Sequence, residues 1–63
     1  MTTHEIDTAI NTAFYNLAHT NQMVYDFWLS ELYDVETNNI IEDKWNEDTV
    51  SEMEKDVMFN VLN

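Results

Sequence analysis

The chain has 63 residues and a formal net charge of −11, from thirteen acidic side chains and two lysines. It contains no glycine, proline or cysteine, which excludes disulfides and thiolate chemistry and removes the usual residues of tight hairpins and helix ends. This composition predicts an all-α fold, a small bundle of three to four short helices in one domain over residues 1–63. So short a chain buries only about 60% of its unfolded surface, so homodimerisation is one way to complete the core.

Apolar residues make up 44% of the chain and aromatic residues 13%. Acidic disordered tails are poorer in both, so we expect a folded domain. No apolar run approaches the roughly 20 residues of a membrane span, and the N-terminal sequence lacks the basic start and apolar core of a signal peptide. We therefore expect a cytoplasmic protein without membrane binding.

The first segment predicts a helix over residues 3–19. Thr2 and Glu5 have the spacing of a capping box, in which each side chain accepts a backbone N–H of the other residue. Apolar side chains recur at three- and four-residue spacing along one face of this segment: Ile6, Ile10, Ala13, Phe14 and Leu17.

A second helix is expected after Asn21, a residue type that favours the N-cap position. The sequence also allows a single helix over residues 3–35, although a break at Asn21 is slightly favoured. Apolar residues between Val24 and Tyr33 cover more than half of the helix circumference, which predicts neighbours on two sides or a partner. The second helix would carry Val24, Phe27, Trp28, Leu32 and Val35.

Residues 37–39 predict a loop, because asparagine tolerates left-handed backbone geometry where glycine is absent. Asn39 and Glu42, and then Thr49 and Glu52, have capping-box spacing before two further apolar segments. The sequence leaves open whether residues 40–62 form one helix or two. The first of these segments carries Ile40, Ile41 and Trp45, and the last carries Val50, Met53, Val57, Met58, Val61 and Leu62.

The acidic residues concentrate in the second part of the chain, because residues 1–25 contain only Glu5 and Asp7. Asp43 and Glu47 are four residues apart, as are Asp48, Glu52 and Asp56, which predicts rows of carboxylates about 6 Å apart on a helix face. Like charges at this spacing destabilise a helix by roughly 0.2–0.5 kcal/mol per pair. The rows therefore indicate either a binding surface or a face that serves only solubility.

A DNA duplex carries one phosphate about every 3.4 Å along each strand, a density that such rows approximate. We therefore predict a DNA-mimicking surface that binds the basic DNA-binding groove of another protein and does not bind nucleic acid directly. Its predicted members are Asp34, Glu36, Glu42, Asp43, Glu47, Asp48, Glu52, Glu54 and Asp56.

In size, charge and predicted helicity the chain resembles the small acidic proteins that phages and other mobile elements encode. Those proteins block restriction enzymes, CRISPR effectors, repair glycosylases or DNA-packaging proteins by mimicking DNA. No family motif carries the resemblance, so it assigns no individual site residue. It implies an inhibitor that acts in the host cytoplasm on a restriction, CRISPR, repair, polymerase or nucleoid protein.

The alternative is a helical interaction module or homodimeric regulator whose acidic surface serves only solubility. It would bind through an apolar helix face formed by Tyr25, Trp28, Leu29 and Tyr33. Neither His4 nor His19 belongs to a Glu-x-x-His pair, and no glycine-rich phosphate loop is present. The sequence therefore predicts no metal, cofactor or catalytic site.

Overall fold

The structure, a computed structural model, describes residues 1–62, and the side chain of Leu62 lies outside the described part. Residues 1–62 are 77% helical, which confirms the all-α prediction in its coarse form, a small and mainly helical fold, but they also contain a short β-hairpin. The elements are α1 (Thr3–Thr20), α2 (Gln22–Leu32), β1 (Tyr33–Asp34), β2 (Asn39–Ile40), a 3-10 turn (Glu42–Lys44) and α3 (Glu47–Leu62).

The start of α1 confirms the predicted capping box. The Glu5 backbone N–H donates to the Thr2 hydroxyl at 3.2 Å, and the Thr2 N–H donates to the Glu5 carboxylate at 3.1 Å. The hydrogen bond from the Thr2 backbone N–H to the Glu5 carboxylate, and next the one from the Thr2 side chain, lower the pKa of the Glu5 carboxyl group, because they stabilise its charged form. Helix α1 ends at Thr20, one residue beyond the predicted end.

Asn21 separates α1 from α2, so the predicted break is confirmed. Its extended backbone (φ −154°) leaves the helical path, and its N–H donates to the Leu17 carbonyl at 2.9 Å. Its side-chain oxygen accepts the N–H groups of Met23 and Val24 at 3.1 and 3.2 Å. One asparagine therefore caps the end of α1 and the beginning of α2.

The hairpin that follows α2 corrects the all-helical expectation. Helix α2 ends at Leu32, so Val35 lies in the turn and not on a helix, with 73% of its surface exposed. Asn38 adopts φ 64° and its N–H donates to the Asp34 carbonyl at 2.7 Å. Asparagine thus supplies the left-handed turn residue that glycine usually provides, and Asn39 belongs to β2 rather than to a helix cap.

The segment predicted as one helix or two forms the 3-10 turn and α3 and begins at Glu42, because Ile40 pairs in β2; α3 begins before the predicted start. The Asn46 side-chain oxygen accepts the Thr49 N–H at 2.9 Å, and its carbonyl accepts the Val50 N–H at 3.1 Å. Asn46 therefore acts as the N-cap, and the predicted cap at Thr49 is wrong because Thr49 already lies inside α3. Trp45, just before this cap, donates its indole N–H to the Leu32 carbonyl at 3.0 Å.

The buried core lies between α1, α2 and α3 and comes mainly from the predicted apolar stripes. Around it pack half-buried aromatic residues such as Trp28 and Tyr33. The chain folds into a flat body whose Cα atoms extend over 32 × 28 × 15 Å. The buried side chains are Ile10, Ala13, Phe14, Leu17, Leu32, Val50 and Met53.

Helices α1 and α3 point in the same direction, and α2 runs back between their ends. At one end Ile6 of α1 and Trp45, just before α3, line a common cleft. At the other end the Asn21 amide donates to the Asn60 side chain at 2.8 Å. We call residues 1–7 and 31–49 the acidic end, and residues 16–25 and 57–62 the neutral end.

Candidate partner-binding surface

Most of the negative charge is exposed and unpaired. Ten of the thirteen carboxylates are exposed, whereas Asp7, Glu31 and Asp56 are half-buried. Within residues 1–62 only two ion pairs involve them: Glu47 with the Met1 amine, and Glu52 with Lys55 at 3.9 Å. Exposed pairs of this kind contribute little, so the surface keeps a strong negative potential.

Asp43 and Glu47 do not form the predicted row on one helix. Asp43 lies in the 3-10 turn and Glu47 is the first residue of α3. Between them, the Asn46 amide donates to the Asp43 carbonyl at 2.8 Å while Asn46 caps α3. The chain changes direction at this cap, so Asp43 and Glu47 are four residues apart in sequence but do not lie on one face of a single helix.

The acidic residues of α3 are divided between two sides of the helix. Asp48 and Glu52 line a shallow groove of about 200 Å³ between α2 and α3, together with Glu31 of α2. Glu54 lines a different groove, formed by α1 and α3. Successive helix residues are rotated by about 100° around the axis, so Glu52 and Glu54 point to different sides of the helix. Helix α3 therefore presents carboxylates on both flanks.

Asp56 turns towards α2 and does not continue the exposed row. Its carboxylate accepts the indole N–H of Trp28 at 2.6 Å, and both residues are half-buried. Asp56 therefore holds α2 against α3 by a hydrogen bond to a charged acceptor. This structural role was missed because nothing in the local sequence pairs residues 28 apart.

Two further residues of the α2–α3 groove were absent from the predicted surface. Glu31 lies one turn after Trp28 on the flank of α2 that faces α3, a helical spacing that could have revealed it. Lys44 also lines the groove, and it forms no ion pair in the described part of the chain. The groove thus combines three carboxylates and one ammonium beside the Trp28 ring.

The remaining predicted acidic residues lie in the hairpin and the 3-10 turn. The Asp34 carboxylate accepts the Glu36 N–H at 3.0 Å and so stabilises the turn. Glu42 lines the cleft that contains Ile6 and Trp45, and Asp43 is exposed beside it. The predicted residues therefore cover several faces of the acidic end and the flanks of α3.

The amount of charge is comparable with that of a short DNA segment. One strand of a duplex carries about nine phosphates over the 32 Å length of this molecule. The protein exposes ten carboxylates over a body of this size. The ten carboxylates thus equal the charge of one strand, about half of the charge of the duplex over this length, and they do not follow a regular line.

The residues of the alternative apolar interface are all half-buried, and they lie on two sides of α2. Tyr25 packs edge-on against Phe14 at 5.5 Å between ring centroids, and Tyr33 lies 6.2 Å from the same ring. Tyr25, Leu29 and Tyr33 line an open cleft of about 500 Å³ between α1, α2 and the hairpin. Trp28 lines the α2–α3 groove instead, so the four residues do not share one cleft.

A comparison of the chain with protein-family models, curated proteins and solved structures finds no significant match. Across residues 1–62 no helix combines the length and apolarity that crossing a bilayer requires. In the same part of the chain no three His, Asp or Glu side chains are grouped to hold a metal ion. Charge and geometry are therefore the support for a functional proposal.

Proposed function

We propose that the protein is a stoichiometric inhibitor that occupies the basic DNA-binding groove of a host protein. The target class comprises restriction, CRISPR, repair, polymerase and nucleoid proteins, and the inhibitor acts in the host cytoplasm without cofactor or turnover. The observation that supports this proposal is the set of ten exposed carboxylates, which within residues 1–62 take part in only two weak ion pairs. Lysine and arginine side chains placed to hold phosphates attract such a surface.

The α2–α3 groove is well suited to an arginine of the target. A guanidinium group pairs with carboxylates and stacks on aromatic rings. Glu31, Asp48 and Glu52 offer three carboxylates against the single ammonium group of Lys44, and the Trp28 indole lies beside them. We therefore expect the groove to contribute more to binding than the isolated carboxylates of the hairpin.

Capture from a bacterial lysate at low salt tests the proposal directly. The immobilised protein should retain a DNA-handling protein that a moderate salt gradient releases, because salt screens exposed charges. Duplex DNA should compete for the same partner. Partners that resist salt and are indifferent to DNA would refute mimicry.

Paired charge variants locate the binding surface on a captured target. Asp48→Asn with Glu52→Gln removes two charges from the groove, and Asp26→Asn with Glu54→Gln removes two exposed charges outside it. We expect the groove pair to weaken binding about tenfold, the result of losing roughly 1.4 kcal/mol. Equal losses for both pairs would show that only total charge matters.

A second candidate is an interaction module that binds an apolar side chain in the cleft formed by Tyr25, Leu29 and Tyr33. The cleft is open, and Val35 at its rim is 73% exposed. Binding there would persist at high salt, whereas binding to the acidic surface would not. Loss of a salt-resistant partner on Val35→Gln would establish this candidate.

A further inference from the structure

A cleft at the acidic end combines an apolar wall with two carboxylates. It has a volume of about 350 Å³ and lies between the beginning of α1, strand β2 and the 3-10 turn. We call it the Trp45 cleft. Its lining residues are Thr3, Ile6, Asp7, Ile40, Glu42 and Trp45.

The apolar wall of the Trp45 cleft is fixed by contacts within the chain. The Trp45 indole N–H donates to the Leu32 carbonyl at 3.0 Å, and its ring packs edge-on against Tyr33 with 5.7 Å between ring centroids. Ile40, which is 48% exposed, pairs with Tyr33 across the hairpin. Ile6 is half-buried and lines the same cleft. The wall is therefore formed before a partner binds, which lowers the entropy cost of binding.

Asp7 and Glu42 supply the charge of the cleft, and they come from different elements. Asp7 is the fifth residue of α1, and Glu42 is the first residue of the 3-10 turn. Because Asp7 lies beyond the first turn of α1, the partial positive charge of that helix end does not neutralise it. Within residues 1–62 neither carboxylate accepts a hydrogen bond or forms an ion pair. Both are therefore available to a cation.

The cationic groups that lie near the cleft in sequence are engaged elsewhere or lie outside it. Lys44 lines the α2–α3 groove, and the Met1 amine pairs with Glu47. His4 is exposed and is not part of the lining. The six lining residues include two acidic side chains and no basic one, so charge complementarity favours a cationic occupant. An anion, or a second copy of this acidic chain, would be repelled.

We propose that the Trp45 cleft binds a lysine side chain of a protein partner. The ammonium group of that lysine lies between Asp7 and Glu42, and its methylene stem packs on the apolar wall. Lysine buries its stem along apolar surface while its charged head stays at the water boundary, and an ammonium group is also attracted to an indole ring. Its three donors point in different directions and suit two separate carboxylates, whereas a planar guanidinium matches a single carboxylate.

This inference rests on the proposed function for the source of the lysine, because proteins that hold DNA bind its phosphates with lysine and arginine. It adds a second contact to the α2–α3 groove, which we expect to take an arginine. The two sites differ in charge, since Lys44 lines the α2–α3 groove and no basic residue lines the Trp45 cleft.

Titration with a short peptide, followed by nuclear magnetic resonance, tests the site without a known target. The probe is glycine–lysine–glycine with both ends blocked, so the lysine carries its only charge. We expect millimolar peptide to shift the Trp45 indole N–H signal and the backbone signals of Ile6 and Ile40. The same peptide with Nε-acetyl-lysine keeps the stem and loses the charge, so it should bind about fivefold more weakly, or less tightly still.

Matched charge variants locate the ammonium group. Asp7→Asn with Glu42→Gln removes two charges from the cleft, and Asp26→Asn with Glu54→Gln removes two exposed charges outside it. We expect the cleft pair to raise the Kd of the lysine peptide about fivefold and the control pair to raise it less than about twofold. Glu42→Gln alone alters only an exposed side chain and should raise the Kd about twofold. Ile40→Thr keeps a β-branched residue in β2 but reduces the apolar wall, so it should also weaken binding.

Four results would overturn the proposal. The lysine peptide would leave the signals of the cleft unshifted, or it would shift those of Trp28 instead and so bind in the α2–α3 groove. Equal losses for the two charge pairs would show a response to net charge alone. An arginine peptide that binds the cleft as tightly would contradict the choice of lysine.

Failure of this site and failure of the proposed function give different results. A chain that binds the lysine peptide in the cleft but captures no DNA-handling protein from a lysate keeps the site and refutes the proposed function. A chain that captures such a protein, with a Kd that Asp7→Asn and Glu42→Gln together leave unchanged, keeps the function and refutes the site.

Discussion

The two ends of the bundle differ in how they accommodate charge. Helices α1 and α3 both begin at the acidic end, where Glu5, Glu47 and Asp48 lie in or near their first turns. The N-terminus of a helix carries a partial positive charge that favours carboxylates. The fold therefore places part of its excess negative charge where the partial positive charge of a helix N-terminus offsets the repulsion. The net charge alone overstates how much this repulsion destabilises the folded state.

The two ends also differ in how they are closed. At the acidic end the Trp45 indole reaches the Leu32 carbonyl and Asn46 caps α3. At the neutral end the side chains of Asn21 and Asn60 join the elements, and apolar groups around them stay exposed. Hydrogen bonds and a helix cap therefore close the acidic end, whereas exposed apolar side chains remain at the neutral end.

Truncation of the core at each end should have the largest effect on stability. Leu17 and Leu32 are both fully buried, so Leu17→Ala and Leu32→Ala should each cost about 3 kcal/mol. That is a large share of the roughly 3–9 kcal/mol expected for a domain of this size. Urea unfolding measures the loss, with exposed Val35→Ala as the control. A cost below about 1 kcal/mol at either position would show that its end is poorly packed.

Removal of the Trp28–Asp56 hydrogen bond should have the next largest effect. Trp28→Phe removes the donor and should cost about 2 kcal/mol, because hydrogen bonds to charged groups contribute roughly 1.5–3 kcal/mol. Asp56→Asn keeps an acceptor oxygen and should cost less. A double-mutant cycle measured by urea unfolding gives the coupling, and additive losses would mean that the contact is absent in solution.

Local signals in the sequence predicted the features that depend on neighbouring residues. Thr2 with Glu5 marked the start of α1, and Asn21 marked the break before α2, because a cap needs only the few residues around it. The apolar spacing of α1 and α3 likewise predicted most of the buried core. These features cover most of the helical framework.

Tertiary contacts decided what the sequence could not. Asn38 closes a hairpin only because residues 33–34 and 39–40 pair. The Asn46 cap is a different case, because its contacts are local and the sequence offered the signal. The predicted acidic rows assumed uninterrupted helix and free side chains, which failed for Asp43 and Asp56 respectively. Charge alone cannot distinguish a carboxylate that faces a partner from one that holds two helices together.

Neutralising single carboxylates should separate the two effects of charge. Asp48→Asn removes a carboxylate from the first turn of α3 and should lower stability by about 0.5 kcal/mol. Glu54→Gln acts farther along the same helix and should raise stability by a few tenths of a kcal/mol, because it only reduces repulsion. Both stability differences should become smaller in high salt, and thermal unfolding can measure them. Stabilisation by both substitutions would show that helix ends do not offset the charge.

The capping box of α1 should give the smallest effect, visible as a pH dependence. Because the folded-state pKa of Glu5 is lowered, its contribution is present above the unfolded pKa, near 4.5. It is lost as the pH falls through the folded value, where protonation ends acceptance from Thr2. The free energy of unfolding should therefore decrease less between about pH 5 and pH 3 in Glu5→Gln than in the parent chain.

Glu54→Gln provides the matched control for this measurement, since the Glu54 carboxylate accepts no hydrogen bond within residues 1–62. Both substitutions remove one charge, so the repulsion that all carboxylates share cancels in the difference between them. A difference confined to the acid range assigns the pH dependence to the cap at the acidic end. Identical curves would mean that Glu5 contributes only its charge, as any exposed carboxylate does.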